Sequence, residues 1–214
     1  MLYRKVRNCA DAAEYAYFRQ CWDTINRPKY ENKKWSQEQK AALEKIDAGI
    51  SYEDEEAKRS SDRRLYIAGA PGSGKSAVML EAAVSAAQKG MRVLIVCPTG
   101  QLVHNLKSQL PDVDGIENIE INTIHGVLRY KRPGADSKVK WSPPSALRRT
   151  DLILIDEASQ YDDKEWVRLM QCIREQPQSP FTAACADFQQ LQPLSSGRVC
   201  RAMCEKWPTE TLTT

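Results

Sequence analysis

Eight consecutive residues match a glycine-rich loop pattern at every one of its fixed positions. They are Gly69-Ala70-Pro71-Gly72-Ser73-Gly74-Lys75-Ser76, which fit G-x-x-x-x-G-K-[ST]. Glycines let backbone N–H groups curl around an anion without a clash from a Cβ atom. In this pattern the lysine reaches the β- and γ-phosphates of a nucleotide, and the serine hydroxyl binds Mg²⁺. The motif therefore predicts a phosphate-binding loop in which all eight residues contact a nucleotide.

The residues on either side give this loop its expected context. Residues 64–68 form a short apolar run that is typical of a buried strand. Residues 77–89 are rich in the helix formers Ala, Leu and Met, and Gly90 follows where a helix C-cap is expected. A helix that begins at the loop directs the positive end of its dipole at the same phosphates. The order strand, loop, helix supports the motif.

Apolar runs and helical patterns continue to alternate after the loop. Such alternation predicts an α/β fold with a mostly parallel sheet, here the three-layer architecture of a P-loop NTPase. The predicted strands are 91–97, 119–123, 152–155 and 181–186. The predicted helices are 102–110, one that Asp162 to Glu165 caps, and one around 199–206 that closes the chain.

The chain is predicted to have two parts. Residues 1–33 form a helical appendage, because their aromatic and apolar side chains recur at helical spacing until Pro28. Residues 34–214 form the P-loop domain, which opens with Ser36-Gln37-Glu38-Gln39, a capping box for a helix. Within it, the connecting segment 129–150 carries seven basic residues and one acid.

Composition excludes two classes of protein. No stretch approaches the ~18 apolar residues of a membrane span, and no signal-peptide pattern opens the chain. The seven cysteines are odd in number, scattered, and without a C-x-x-C pair. We therefore expect an intracellular protein in a reducing compartment, without disulfides or zinc. Nucleus, mitochondrion and cytoplasm stay open.

Acidic and amide side chains follow two of the predicted strands. Asp156-Glu157 ends the strand 152–155, and the carboxyl ends of parallel strands line the ligand crevice in such folds. One carboxylate there suits Mg²⁺, and the second suits proton transfer from an attacking water. Asp187 and Gln190 follow the strand 181–186, where a carboxamide is placed to sense a γ-phosphate.

Five elements together resemble superfamily 1 helicases, with the best likeness to the Pif/RecD/Dda-like branch (subgroup B). The elements are the P-loop, Cys97-Pro98-Thr99-Gly100, Thr123-Ile124-His125, Asp156-Glu157-Ala158-Ser159 and Asp187-Phe188-Gln189-Gln190-Leu191-Gln192-Pro193, in the family's order. Trp35-Ser36-Gln37-Glu38-Gln39-Lys40-Ala41 resembles the family's leading element, where a glutamine contacts adenine. The resemblance covers about residues 34–195. It implies a RecA-like ATPase domain, the first motor domain of such a helicase.

The resemblance also implies roles for individual residues. Lys75 and Ser76 would hold the phosphates of ATP and Mg²⁺, Asp156 would support the metal, and Glu157 would activate water. Gln190 would couple the γ-phosphate to movement on single-stranded DNA. Gln39 would contact adenine, although the capping box explains this residue equally well. The residues expected to face the nucleic-acid backbone are Pro98, Thr99, Gly100, Thr123 and His125.

Several alternatives stay open on sequence alone. The basic segment 129–150 fits either a strand-separating element or a solvated connection. Asp156-Glu157-Ala158-Ser159-Gln160 also fits RNA helicases of the surveillance type. A third possibility is a truncated nucleotide-binding regulatory module without turnover. Because the family's second RecA-like domain would start about where this sequence ends, at Thr214, we expect no unwinding by these 214 residues alone. Ala186 and Gln101-Leu102 also depart from the family pattern.

Overall fold

The computed structural model describes residues 34–50, 63–128, 147, 149–176, 179–189 and 197–213. The predicted appendage 1–33, the predicted sensor Gln190 and most of the basic segment 129–150 lie outside these ranges. Residues Gln37–Thr214 belong to one compact unit. No helix in the described ranges is long and apolar enough to cross a membrane.

The centre of this unit is a six-stranded, entirely parallel sheet. The strands are β1 (Arg64–Gly69), β2 (Val93–Cys97), β3 (Ile119–Thr123), β4 (Leu152–Ile155), β5 (Phe181–Ala186) and β6 (Thr209–Leu212). Their order across the sheet is β3-β2-β4-β5-β1-β6. In a parallel sheet all carboxyl ends lie at one edge, so the segments after β1, β2, β3, β4 and β5 meet there. This places the described site residues that directly follow these strands at the same edge of the sheet.

Helices cover both faces of the sheet, as the sequence predicts. They are α1 (Gln37–Ile50), α2 (Lys75–Gln88), α3 (Gly100–Gln109), α4 (Ile124–Leu128), α5 (Asp163–Arg174) and α6 (Arg198–Cys204). Short 3₁₀ turns occupy Ile116–Asn118 and Ala158–Gln160. Helices α4, α5 and α6 pack with alternate residues of the central strands in one hydrophobic cluster. The other strand residues face α1 and α2 because side chains of a strand alternate between faces.

The helix ends follow their sequence signals. Gly90 has a φ of 80° after α2, and its N–H bonds Ala87 while that of Met91 bonds Ala86, at 2.9 and 3.1 Å. This is a Schellman motif, which glycine accommodates without steric cost. Helix α5 begins with a capping box: the Asp162 side chain accepts from the Glu165 N–H, and the Glu165 side chain accepts in return. Both predicted helix boundaries are thus confirmed.

The last strand is missing from the sequence-based prediction, which had a helix as the final element. Strand β6 follows α6 and pairs with β1, with Gly69 opposite Leu212. It escapes notice because only Leu212 of its four residues is buried, so it has no apolar run. Smaller differences occur at β2, which begins at Val93 rather than residue 91, and at α3, which begins at Gly100 rather than residue 102.

Candidate active site

The glycine-rich loop adopts a conformation that glycine makes possible. Gly72 and Gly74 have φ values of 83° and 86°, in the left-handed region that other residues rarely adopt. Gly74 caps α2, which begins at Lys75. A Cβ atom at Gly74 would come within 2.5 Å of the Gln39 amide nitrogen, whereas one at Gly72 would meet nothing within 4 Å. Gly74 is therefore required for its backbone angle, whereas the Gln39 amide beside it is the end of a flexible side chain that can move.

The lysine of the motif folds back over its own loop. Lys75 is only 6% exposed, and its Nζ donates to the carbonyl oxygens of Gly69 at 2.6 Å and Ala70 at 3.0 Å. An ammonium group has three donors, and these two contacts use two of them. The charge is therefore held inside the loop, at the N-terminal end of α2, where it reinforces the positive end of the helix dipole. This arrangement fits the phosphates of a nucleotide.

The hydroxyl of Ser76, in the first turn of α2, lies next to the carboxylate of Asp156, which follows β4. The Ser76 hydroxyl donates to Oδ2 of Asp156 at 3.5 Å, although these residues lie 80 positions apart in the sequence. Among the described residues, no group of three or more His, Cys, Asp and Glu side chains is placed to hold a metal ion. Mg²⁺ in proteins is commonly held by one or two carboxylates together with waters and phosphate oxygens. The Ser76–Asp156 pair fits that mode of binding.

Burial changes the acidity of Asp156. This side chain is 1% exposed, and burial together with the nearby charge of Glu157 raises its pKa to about 6. Three groups oppose the shift: the Glu157 N–H, which donates to Oδ1 at 3.0 Å, the Ser76 hydroxyl, and the Lys75 charge. A bound divalent cation would reverse this balance because it favours the ionised carboxylate.

Glu157 is held in an unusual backbone conformation. It is the only non-glycine residue with positive φ in the described ranges, at φ 46° and ψ 47°. This left-handed conformation costs roughly 1–3 kcal/mol for such a residue, and strain of this kind concentrates at functional sites. Its Oε2 atom is buried and accepts no hydrogen bond from the described protein groups. The residue therefore carries a free acceptor beside Asp156.

Sequence reasoning missed one residue of this site. Tyr161 is fully buried, and its hydroxyl lies 3.0 Å from the Val96 carbonyl oxygen and 3.1 Å from the Asp156 carbonyl oxygen. Its ring stacks on Trp166 with 6.4 Å between centroids. In the sequence Tyr161 is a single aromatic residue after Asp156-Glu157-Ala158-Ser159-Gln160, and no spacing rule predicts its hydrogen-bond partners.

Two further predicted residues lie close to the glycine-rich loop: Gln39 contacts it, and Asp187 follows β5, the strand next to β1. The Gln39 amide donates to the Ser73 carbonyl oxygen at 3.0 Å, so the first helix reaches the glycine-rich loop directly. Asp187 is 7% exposed and accepts from the Gln189 N–H at 2.9 Å, which shapes the turn after β5. Gln190, which follows this turn, lies outside the described residues.

The residues predicted to contact nucleic acid come from two adjacent strands. Cys97 at the end of β2 pairs with Thr123 at the end of β3, so the segments that follow are neighbours. The Thr99 hydroxyl accepts from the Leu102 N–H at 3.3 Å, and the Thr123 hydroxyl accepts from the Gly126 N–H at 3.1 Å. A hydroxyl that accepts in this way keeps its own proton for donation.

His125 lies in the same neighbourhood and joins α4 to α5. Its Nε2 is 2.7 Å from Oε1 of Glu165, and its side chain is 62% exposed. Thr99 and Gly100 are exposed as well, while Pro98 is half-buried. The predicted residues thus share one partly exposed surface at the carboxyl edge of β2 and β3, in which Thr123 is half-buried as well. The pairing with Glu165 gives His125 a structural partner.

A family profile and a curated relative both match this chain. A family profile described as "AAA domain" matches residues 54–214. The ATP-dependent RecD2 DNA helicase of Deinococcus radiodurans is 25% identical over 186 residues, which cover 87% of this chain and 22% of that protein. The chain therefore spans less than a quarter of the length of this curated relative.

Solved structures show the same fold. A Pif1 helicase structure on DNA unwinding at forked double-stranded DNA superposes with a TM-score of 0.55 at 14% identity, covering 85% of this chain and 44% of that one. Pif1 from Bacteroides sp. in complex with ADP-AlF4 gives a TM-score of 0.53 at 15% identity, covering 84% and 42%. At these identities the likeness concerns the fold. The predicted parallel α/β fold and the resemblance to Pif/RecD-like helicases are confirmed.

Proposed function

Since the chain belongs to the AAA domain family, we propose that it is the ATP-binding motor half of a DNA helicase. In this proposal it binds ATP with Mg²⁺ and couples ATP hydrolysis to movement on single-stranded DNA. The observation that carries it is the meeting of Ser76 and Asp156 beside the buried ammonium of Lys75. A hydroxyl, a carboxylate and an ammonium converge there on one glycine-rich loop, as binding a nucleotide with its metal requires.

Each residue of the loop has a task in binding. The backbone of Gly72 to Gly74 surrounds the phosphates, and Lys75 neutralises the β- and γ-phosphates. Ser76 and Asp156 hold Mg²⁺, which supplies charge neutralisation during phosphoryl transfer. Gln39 contacts the adenine ring, and its hydrogen bond to the Ser73 carbonyl oxygen places it beside the loop.

Glu157 acts as the general base. It accepts a proton from the attacking water while the water oxygen bonds to the γ-phosphorus and the bond to the β-phosphate oxygen breaks. The free acceptor on its carboxylate and its position next to Asp156 support this assignment. Gln190 senses the γ-phosphate through its carboxamide, and Asp187 contributes to nucleotide binding, since both follow β5, the strand between β1 and β4.

The exposed surface after β2 and β3 contacts the backbone of single-stranded DNA. Thr99 and Thr123 each keep a hydroxyl proton to donate to a phosphate oxygen. Contacts of this type position a strand without reading its sequence. Pro98, Gly100 and His125 complete the surface. The curated relative from Deinococcus radiodurans is a DNA helicase, which favours DNA over RNA as the ligand.

Turnover by residues 1–214 alone should be slow. Phosphoryl transfer in NTPases commonly uses an arginine that stabilises charge and accelerates the reaction by ~10³–10⁵. In two-domain helicases the second RecA-like domain supplies it, and the chain spans 44% or less of the helicases named above. We therefore propose that a second RecA-like domain is a partner of this chain at its nucleotide-binding site.

The test is ATP turnover by residues 1–214 with single-stranded DNA, with single-stranded RNA and without polynucleotide. Lys75→Ala serves as the control for contaminating ATPases. Stimulation by DNA that disappears in Lys75→Ala is the expected result. Stronger stimulation by RNA would favour the surveillance-type alternative. ATP binding without any polynucleotide response would indicate a nucleotide-binding regulatory module, and robust unwinding of a forked duplex would refute the half-motor assignment.

A further inference from the structure

The peptide that joins Asp156 to Glu157 is hydrogen-bonded at both ends. Its N–H donates to Oδ1 of Asp156 at 3.0 Å, and its carbonyl oxygen lies 3.1 Å from the Tyr161 hydroxyl. The plane of this peptide sets the direction in which the Glu157 side chain leaves the backbone. Its orientation therefore decides where the Glu157 carboxylate points.

The Tyr161 hydroxyl also reaches the neighbouring strand. It lies 3.0 Å from the Val96 carbonyl oxygen, which accepts the Asp156 N–H at 2.9 Å as well. One O–H proton is thus shared between the carbonyl oxygen of Val96 in β2 and that of Asp156, the residue that directly follows β4. The hydroxyl fastens the turn that carries Asp156 and Glu157 to the adjacent strand.

The surroundings of Tyr161 keep this hydroxyl in place. The side chain is fully buried and its ring stacks on Trp166, so it has little freedom to change rotamer. A rigid hydroxyl donor next to the strained residue Glu157 can hold that residue in place.

We propose that Tyr161 is a positioning residue of the active site. Its hydroxyl fixes the peptide between Asp156 and Glu157 and thereby holds Glu157 in the left-handed conformation that aims its carboxylate. The inference rests on the proposed function, because it assigns to Glu157 the role of general base. It adds a residue that binds neither nucleotide nor metal and acts through the backbone of its neighbour.

The test uses two matched variants that each delete one buried hydroxyl. Tyr161→Phe removes the donor to Asp156 and Val96. Tyr66→Phe removes a hydroxyl from the same hydrophobic cluster, one that donates to the Ala186 carbonyl oxygen at 3.5 Å. Urea unfolding of both variants measures the cost to stability, so that a general loss of folding is separated from a local effect.

The first readout is the nucleotide-free protein in solution. Amide hydrogen exchange at Asp156 and Glu157, followed by NMR, should become about fivefold faster in Tyr161→Phe, since a typical buried hydrogen bond contributes about 1 kcal/mol. The same amides should exchange at the wild-type rate in Tyr66→Phe. Equal exchange at Asp156 and Glu157 in all three proteins would overturn the proposal, and it does so without any measurement of catalysis.

The second readout is single-turnover hydrolysis of ATP. Tyr161→Phe should lower the rate constant about fivefold to tenfold, since the loss of one positioning hydrogen bond is worth about 1–1.5 kcal/mol, and should leave the affinity for ATP unchanged. In a Glu157→Gln background, Tyr161→Phe should have no further effect, because its action passes through Glu157. Additive losses in the double variant, or a loss of ATP affinity, would indicate a merely structural role.

The outcome also separates this inference from the proposed function. If Lys75→Ala and Glu157→Gln leave turnover unchanged, the proposed ATPase function fails. If both abolish turnover while Tyr161→Phe behaves like Tyr66→Phe in exchange and in rate, only the role of Tyr161 fails.

Discussion

Replacing Asp156 by asparagine should make the nucleotide-free protein more stable at neutral pH. Asparagine has nearly the same shape, and its Oδ1 can still accept from the Glu157 N–H as Asp156 does at 3.0 Å. Its amide can donate to the Ser76 hydroxyl, which now donates to the carboxylate. The substitution therefore removes a buried charge while it preserves the local hydrogen bonds.

The size of the effect follows from the pKa of Asp156. Burial and the charge of Glu157 raise it from 3.8 to about 6, roughly two units at about 1.36 kcal/mol each. The ionised carboxylate thus costs the folded state about 3 kcal/mol at pH 7. Because the folded pKa is the higher one, the folded protein binds more protons between about pH 4 and pH 6, so stability falls as pH rises through that window. Above about pH 6 the folded state has lost the full ~3 kcal/mol of stability.

Urea unfolding in the presence of a chelator, at pH 4.5 and at pH 8, tests the reasoning. Asp156→Asn should exceed the wild type by about 2–3 kcal/mol at pH 8 and by much less at pH 4.5. Asp112→Asn, which removes an exposed carboxylate, should show no such pH dependence. The same Asp156→Asn protein should lose the effect of Mg²⁺ on ATP affinity. A difference in stability that stays constant with pH, or a less stable variant at pH 8, would refute the account.

Three further substitutions test other contacts. Gly74→Ala should lower stability by about 1–2 kcal/mol through its positive φ. It should also weaken ATP binding more than Gly72→Ala, which shares the backbone strain but has open space around its Cβ. Equal ATP affinities of the two variants would argue against the Gln39 contact. Gln39→Ala should weaken ATP binding about fivefold and leave GTP binding unchanged, whereas an equal loss for both nucleotides would make Gln39 a support of the loop and not an adenine contact. Thr99→Val should weaken single-stranded DNA binding, measured by fluorescence anisotropy, about fivefold; Thr99→Ser should restore it, and wild-type affinity in the valine variant would remove this hydroxyl from the DNA surface.

Much of the fold was predictable because its signals are local. Strand β4 is four apolar residues in a row, and α5 carries its own capping box at Asp162. The loop from Gly69 to Ser76 is also signalled locally, since Gly72 and Gly74 supply the two positive φ angles that its backbone needs. Each of these features is decided by residues that are neighbours in the sequence.

The rest depends on contacts between distant segments. Strand β6 is nearly polar, and it forms because the edge of β1 offers it a partner. Glutamate has no intrinsic preference for positive φ, so the conformation of Glu157 could not be predicted from its identity. The donor that faces Asp156 belongs to Tyr161, and only the fold around the 3₁₀ turn Ala158–Gln160 brings it back to the strand.

The pairing of β1 also has a consequence for the order in which the protein matures during synthesis. Its two neighbours, β5 and β6, begin only at Phe181 and Thr209, although the glycine-rich loop follows β1 directly. Strand β2 pairs with β3 on one side and with β4 on the other, and all three are complete by Ile155, so they can assemble on a nascent chain. Strand β1 must wait for the carboxyl-terminal segment to leave the ribosome. The phosphate-binding loop is thus encoded early, but the strand that precedes it gains its sheet partners only after residues 181–186 and 209–212 have been made.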